Sequence, residues 1–335
     1  MAPKRRAKIL FLRKFSEEDT RCLKKGLSGY YELIIPGDFS QENLSRLAKD
    51  ADVFLGHNIS KTMMDSAGKL KLIQLMGAGI DKFDLGLLEG RRVALCNSVS
   101  NTPYVAEYAV SLLLSLVKAI PIHDRSMREG KWFKPKMGAD DSPYLSNTLL
   151  GKTVGILGFG NVGSGIANLL KGFGTLFMVY AKERKAVPRS IRVRSSSLKK
   201  LLSESDFIFV TLPLTRDTVN LISSREFGIM KTGAYIVNVS RGPIVNEKSL
   251  YDALRSRRIA GAAIDVWYDD VYADGDRKYP SKNYPFHTLD NIILSPYRAG
   301  YIKGRSPHLE DVIKNLRLFA QGKKPINIID IKKGY

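Results

Sequence analysis

Val154-Gly155-Ile156-Leu157-Gly158-Phe159-Gly160-Asn161-Val162-Gly163 runs an apolar strand straight into Gly-x-Gly-x-x-Gly, and a helical segment, Ile166 to Leu170, follows. Gly158 allows the tight turn, Gly160 lets a pyrophosphate approach the backbone, and Gly163 permits close packing of helix on strand. The helix start offers unpaired N–H groups to the phosphates. With strand and helix both in place, the stretch predicts a dinucleotide site lined by the three glycines and by Phe159, Asn161 and Val162. A merely tight turn is the plain alternative.

Outward from this loop the chain alternates short apolar runs with amphipathic segments. Val154 to Leu157, Leu176 to Val179, Phe207 to Val210, Tyr235 to Val239, Ala262 to Ile264 and Ile292 to Leu294 read as strands of one α/β sheet. Before it, Ile9 to Leu12, Leu33 to Ile35, Val53 to Leu55, Leu72 to Leu75 and Val93 to Leu95 read as strands of another. Ser16 and Ser40 look like N-caps of helices between those strands. The expected fold is therefore α/β, two doubly wound parallel-sheet lobes. Residues 102 to 120 are apolar on nearly all sides, which describes a buried helix joining the lobes. Tyr268 to Pro285 lacks periodicity and reads as a long excursion. The amphipathic segment Leu309 to Phe319 is one helix too many for the second lobe and is expected to return to the first.

A length of 335 residues suits two domains, and 44% hydrophobic with 26% charged residues is ordinary for a folded protein. Lys+Arg exceed Asp+Glu by 53 − 33 = 20, so the surface field favours anionic partners. No dedicated nucleic-acid motif accompanies that charge, and a solvated basic surface explains it as well. The apolar stretch Tyr108 to Val117 is about half the roughly 20 residues that a membrane span needs, so no membrane is expected. The basic N-terminus is followed by too short an apolar run for a signal peptide. Two cysteines, Cys22 and Cys96, make neither a disulfide framework nor a metal cluster, which fits a reducing cytoplasm and no metal.

An NAD site usually carries an acid at the end of its second strand to bind the adenosine ribose hydroxyls. Ala181 stands there, followed by Lys182, Glu183, Arg184 and Lys185. Lys182, Arg184 and Lys185 suit a 2′-phosphate, so NADP is favoured and NAD remains open; a solvated basic loop is the alternative.

At Asn238-Val239-Ser240-Arg241-Gly242-Pro243 the chain resembles the D-isomer-specific 2-hydroxyacid dehydrogenases. The resemblance extends to the nucleotide loop, Gly77-Ala78-Gly79-Ile80-Asp81, Val105-Ala106-Glu107, Leu212-Pro213-Leu214-Thr215 and Gly261-Ala262-Ala263-Ile264-Asp265-Val266. It implies a Rossmann nucleotide lobe, residues 99–300, inserted in a flavodoxin-like catalytic lobe, residues 1–98 plus 301–335, and a homodimer. It further implies that Arg241 holds the carboxylate and carbonyl of a small 2-oxo acid or 2-hydroxy acid. The N–H groups around Ala78 and Gly79 would take the carboxylate, Asp265 would bond the nicotinamide carboxamide, and His57 and Asn58 would face the substrate. Leu212, Pro213, Thr218, Val239 and Ser240 join Arg241 and Asp265 in lining the dinucleotide.

The chain departs from the family where a glutamate and a histidine normally handle the proton. Asp270 and Tyr297 stand at those positions. Tyr297 is expected either to donate the proton as a phenol, whose ordinary pKa is about 10, or only to fill the space. The resulting reading is an NADP(H)-preferring reductase of 2-oxo acids such as glyoxylate or hydroxypyruvate. The alternatives are a catalytically impaired dinucleotide sensor resembling the corepressors of this family, and a dehydrogenase of an altered oxyanion substrate.

Overall fold

Every ladder between strands is parallel, which is why the strands read as continuous apolar runs buried on both faces. A computed structural model describes residues 6–132, 146–184, 193–268, 278–304 and 306–331. The chain divides into two units, Met1–Asn101 with Tyr301–Tyr335, and Thr102–Gly300.

The first unit runs β1 (Ala7–Phe11), α1 (Glu17–Leu27), β2 (Tyr31–Ile34), α2 (Gln41–Ala48), β3 (Val53–Leu55), α3 (Lys61–Ser66), β4 (Leu72–Gln74) and β5 (Ala94–Cys96). Its sheet order is β2-β1-β3-β4-β5, the flavodoxin-like arrangement, with the reversal between β1 and β3. The Ser16 and Ser40 hydroxyls accept from the Asp19 and Asn43 N–H groups and cap α1 and α2.

The second unit runs α4 (Thr102–Val117), α5 (Ile120–Arg128), β6 (Thr153–Phe159), α6 (Asn161–Leu170), β7 (Leu176–Arg184), β8 (Val193–Ser195), α7 (Leu198–Glu204), β9 (Phe207–Val210), α8 (Ser224–Ile229), β10 (Tyr235–Asn238), α9 (Glu247–Arg255), β11 (Gly261–Ile264) and β12 (Ile292–Leu294). The strand order is β12-β11-β10-β9-β6-β7-β8, reversing between β6 and β9. β8 was not legible in the sequence, because Val193-Arg194-Ser195 holds a single apolar residue at the sheet edge. The apolar helix is shorter than expected. Ala119 enters the left-handed region at φ 52° and α5 departs at 61° from α4. Among the described residues no single helix is long and apolar enough to cross a membrane.

The last helix, α10 (Leu309–Ala320), belongs to the first unit. It packs on α1 so closely that a Cβ at Gly26 would lie 3.0 Å from Ile313. Tyr31 Oη donates to the Leu316 carbonyl at 2.6 Å, and Asn315 donates to the buried Gln74 side chain at 2.9 Å. These bonds explain why an amphipathic segment after the second sheet returns to the first.

Gly163 has no room for a side chain: a Cβ would meet the Gly158 carbonyl oxygen at 2.3 Å and Ile156 at 3.0 Å. Gly163→Ala must push α6 off β6, so urea unfolding is expected to show a loss of about 1–3 kcal/mol together with weakened dinucleotide binding.

Candidate functional site

The reversal between β6 and β9 opens a crevice at the carboxyl ends of the strands, where doubly wound sheets take ligands. Gly158 turns there at φ 92°, and a Cβ would strike the backbone of Thr211 and Leu212 at 2.9 Å. Around the Cβ position of Gly160, by contrast, there is open space within 4 Å. No side chain caps the start of α6. A tightly packed turn, an open glycine and an uncapped helix start together fit a dinucleotide pyrophosphate. Phe159 is buried beneath the turn, and Asn161, Val162 and Gly163 form the first turn of α6.

Leu212 and Pro213 follow β9. Thr218 closes this loop by donating to the Pro213 carbonyl at 2.7 Å and accepting from the Thr215 N–H at 2.8 Å. Ser240 Oγ donates to the Leu212 carbonyl and ties the end of β10 to the same loop. Val239 is buried beside it.

The motif around Arg241 is an amide-closed turn. Buried Asn238 accepts from the Ser240 N–H at 3.1 Å and donates to the Arg241 carbonyl at 3.0 Å. The next residue must be glycine, since a Cβ at Gly242 would meet the Trp267 carbonyl oxygen at 2.4 Å. Arg241 is thereby held half-buried at the carboxyl end of β10, with Nη1 donating to the Ser240 carbonyl at 2.8 Å.

Asp265, just past β11, is buried, and its carboxylate accepts from the Ser295 hydroxyl, the Arg298 N–H at 2.7 Å and the Ala299 N–H at 3.0 Å. Burial pushes its carboxyl above the ordinary carboxylate range, opposed by these three donors. Tyr297 sits in this loop at φ 56°. Its hydroxyl donates to the Trp267 carbonyl at 2.8 Å and accepts from the Trp267 N–H at 2.8 Å. Trp267 Nε1 donates in turn to the Ser295 carbonyl at 2.9 Å. The phenol thus bonds both polar groups of one backbone residue, and its proton points at a carbonyl of the chain itself. No spacing in the sequence joins Tyr297 to Trp267, thirty residues earlier.

Toward the end of β7, Ala181 is half-buried against the core of the second unit. Lys182 is exposed and pairs with Asp217 at 3.0 Å, both side chains about three-quarters exposed. That carboxylate, delivered by the loop after β9, was not anticipated. Arg184 ends β7, while Lys185 and Asp270 lie outside the described residues.

In the first unit, His57 and Asn58 follow β3, and the turn Gly77-Ala78-Gly79 follows β4. Asn58 is exposed at φ 64°, and its carbonyl accepts from Gln41 at 3.2 Å. The Ala78 carbonyl accepts from Asn97 Nδ2 at 2.7 Å and the Gly77 carbonyl from the Ser98 N–H at 3.0 Å, which fixes the turn with Ala78 exposed. His57 is half-buried, and burial and the Arg13 charge hold its imidazole below the usual range. His308 bonds Ser98 Oγ through Nδ1 at 3.1 Å in this same unit, a placement the sequence did not suggest. Among the described residues no cluster of His, Cys, Asp and Glu is arranged to hold a metal ion.

Residues 110–299 match the family model for the D-isomer specific 2-hydroxyacid dehydrogenase NAD-binding domain. The chain is 34% identical to a glyoxylate reductase of Thermococcus litoralis over 279 residues, covering 81% of this chain and 80% of that protein. It is 32% identical to a glyoxylate reductase of Pyrococcus horikoshii, covering 91% of this chain and 92% of that one. A solved structure of a Pyrococcus horikoshii protein superposes with a TM-score of 0.79 at 28% identity, over 98% of this chain and 99% of that one. An NADPH-dependent glyoxylate/hydroxypyruvate reductase of Sinorhizobium meliloti shares the fold, with a TM-score of 0.79 at 22% identity over 97% and 98% of the two chains.

The two bonds of the Tyr297 hydroxyl have a measurable consequence. Tyr297→Phe keeps the ring and strands the Trp267 N–H and carbonyl, so urea unfolding is expected to show a loss of about 1–3 kcal/mol. An unchanged midpoint would remove the clasp from the account.

Proposed function

The chain belongs to the D-isomer-specific 2-hydroxyacid dehydrogenase family, and on that premise we propose that it uses NADPH in preference to NADH to reduce a small 2-oxo acid, such as glyoxylate or hydroxypyruvate, to the D-hydroxy acid. It is an NAD(P)-dependent 2-hydroxyacid oxidoreductase. The observation that carries the finer reading is Arg241, held at the carboxyl end of β10 by Asn238 and Gly242 in the same unit as the open glycine loop.

The Gly158–Gly163 loop and the start of α6 hold the pyrophosphate, with Leu212, Pro213, Thr218, Val239 and Ser240 beside it. When bound, the reduced nicotinamide supplies a hydride to the carbonyl carbon. Arg241, with its planar fork of donors, takes the carboxylate and the carbonyl oxygen and stabilises the charge that develops there. The N–H groups of Ala78 and Gly79 take the substrate carboxylate, and His57 and Asn58 face the substrate. Asp265 serves the nicotinamide end through the loop it clasps. Tyr297 fills the place of the usual histidine as a structural residue, and water supplies the proton to the alkoxide; the phenol's commitment to the Trp267 carbonyl supports this.

Lys182 and Arg184 attract the 2′-phosphate at a site where Ala181 removes the repelling acid. The Asp217 pair only moderates this, because exposed ion pairs contribute about 0–1 kcal/mol. A homodimer accounts for the apolar side chains left exposed on the second unit, among them Ile120, Met127, Leu150 and Leu176. A cytoplasmic location fits the two free cysteines.

The test is loss of reduced-nicotinamide absorbance with glyoxylate and hydroxypyruvate. NADPH-dependent turnover is expected, and Arg241→Lys, which keeps the charge and loses the fork, is expected to lower kcat/KM by about 10²-fold or more. Wild-type turnover in Arg241→Lys would make Arg241 structural. Fluorescence titration through Trp132 and Trp267 should show NADPH binding more tightly than NADH, and Lys182→Ala with Arg184→Ala should erase the difference. Equal affinities in the parent would defeat the basic-strand argument.

A further inference from the structure

One cavity of the first unit has no part in the reading above. It lies between α1 and the loop after β2, the edge strand of the first sheet, and its volume of about 600 Å³ is that of a small-molecule site. The residues assigned to the substrate, His57, Asn58, Ala78 and Gly79, do not line it.

The cavity has two chemically different sides. On one, α1 presents Glu17, Thr20, Arg21 and Lys24, which recur at the spacing of a single helix stripe, while Leu23, Gly26 and Leu27 are buried on another face. On the other, the loop after β2 supplies Ile35, Pro36 and Phe39, and Ile35 is left 39% exposed. Buried Phe11 and Phe15 complete the apolar lining, their ring centroids 5.6 Å apart and edge to face.

The charge of this lining is unbalanced. Arg13 and Lys14, from the turn that enters α1, join Arg21 and Lys24, so four cations face one acid, Glu17. None of the four has an ion-pair partner among the described residues. Asp19 and Asp38, acids of the flanking segments, are engaged elsewhere: Asp19 accepts from the Ser306 N–H at 3.0 Å, and Asp38 from the Ser40 N–H at 2.9 Å. Arg13 and Lys14 moreover stand before the positive end of α1, where the helix macrodipole disfavours cations. Ser16 already caps that helix start, so an anion here would be held by side chains. Arg13 is placed for this, its guanidinium 4.8 Å from the centroid of Phe15. A peptide strand is a poor fit, because the unpaired edge of β2, Tyr31–Ile34, is not part of the lining.

We propose that this cavity binds a nucleoside polyphosphate, its base against Ile35, Pro36 and Phe39 and its phosphates among Arg13, Lys14, Arg21 and Lys24. The flat apolar base suits one side and the phosphate charge the other. This nucleotide is additional to the dinucleotide of the Gly158–Gly163 loop and does not depend on which acid is reduced.

The experiment is calorimetric titration with ATP, inorganic triphosphate and adenosine. It uses the parent chain and Gly160→Asp, which sets a carboxylate in the open space of the dinucleotide loop and keeps ATP from binding there. ATP is expected to bind Gly160→Asp saturably, about tenfold or more tighter than inorganic triphosphate, and adenosine far more weakly than ATP. Arg21→Glu with Lys24→Glu, both at exposed positions, should weaken ATP binding about tenfold or more and leave NADPH binding unchanged. Ile35→Ser should weaken ATP binding and spare inorganic triphosphate. An unchanged unfolding midpoint separates lost binding from lost fold, and should Gly160→Asp not fold, the double substitution in the parent decides by the same loss. Loss of ATP binding in folded Gly160→Asp would place ATP in the dinucleotide loop and overturn the proposal. So would ATP binding that the double substitution leaves unchanged. Equal affinities for ATP and inorganic triphosphate would also overturn it, leaving only a basic surface.

Discussion

A single buried carboxylate organises the loops at the carboxyl ends of β11 and β12. Asp265 leaves β11 and accepts from Ser295, Arg298 and Ala299, while its backbone carbonyl accepts from the Tyr297 N–H. A buried charge is costly unless it is satisfied, and here one loop supplies the donors. The loop after β12 is therefore bound to the end of β11. Tyr297 is presented to Trp267 by the same loop, and the Trp267 backbone lies against Gly242, next to Arg241. The position of Arg241 thus depends on a chain of contacts that starts at Asp265.

Tyr297 is a link in this chain of contacts. The Tyr297 hydroxyl gives its proton to one backbone carbonyl and accepts from one backbone N–H. The phenol thereby ties residues 267 and 297 across thirty positions of sequence.

Both units place their working residues at the carboxyl ends of parallel strands beside an order reversal, the β6/β9 pair in one and the β1/β3 pair in the other. In the second unit, glycines without side chains and an uncapped helix start stand at that reversal.

Local chemistry determined much of this in advance. The strands followed from apolar runs, α1 and α2 from Ser16 and Ser40, and the nucleotide turn from Gly158, Gly160 and Gly163, because each of these depends on residues a few positions apart. The polar edge strand β8 had no such signal, and the break between α4 and α5 turned on one backbone conformation, that of Ala119. What only the tertiary structure decided were pairings between distant segments: Tyr297 with Trp267, Lys182 with Asp217, and His308 with Ser98. Periodicity and spacing cannot encode these, since a hydrogen bond or a Coulomb interaction acts through the distance that folding creates, whatever the separation along the chain.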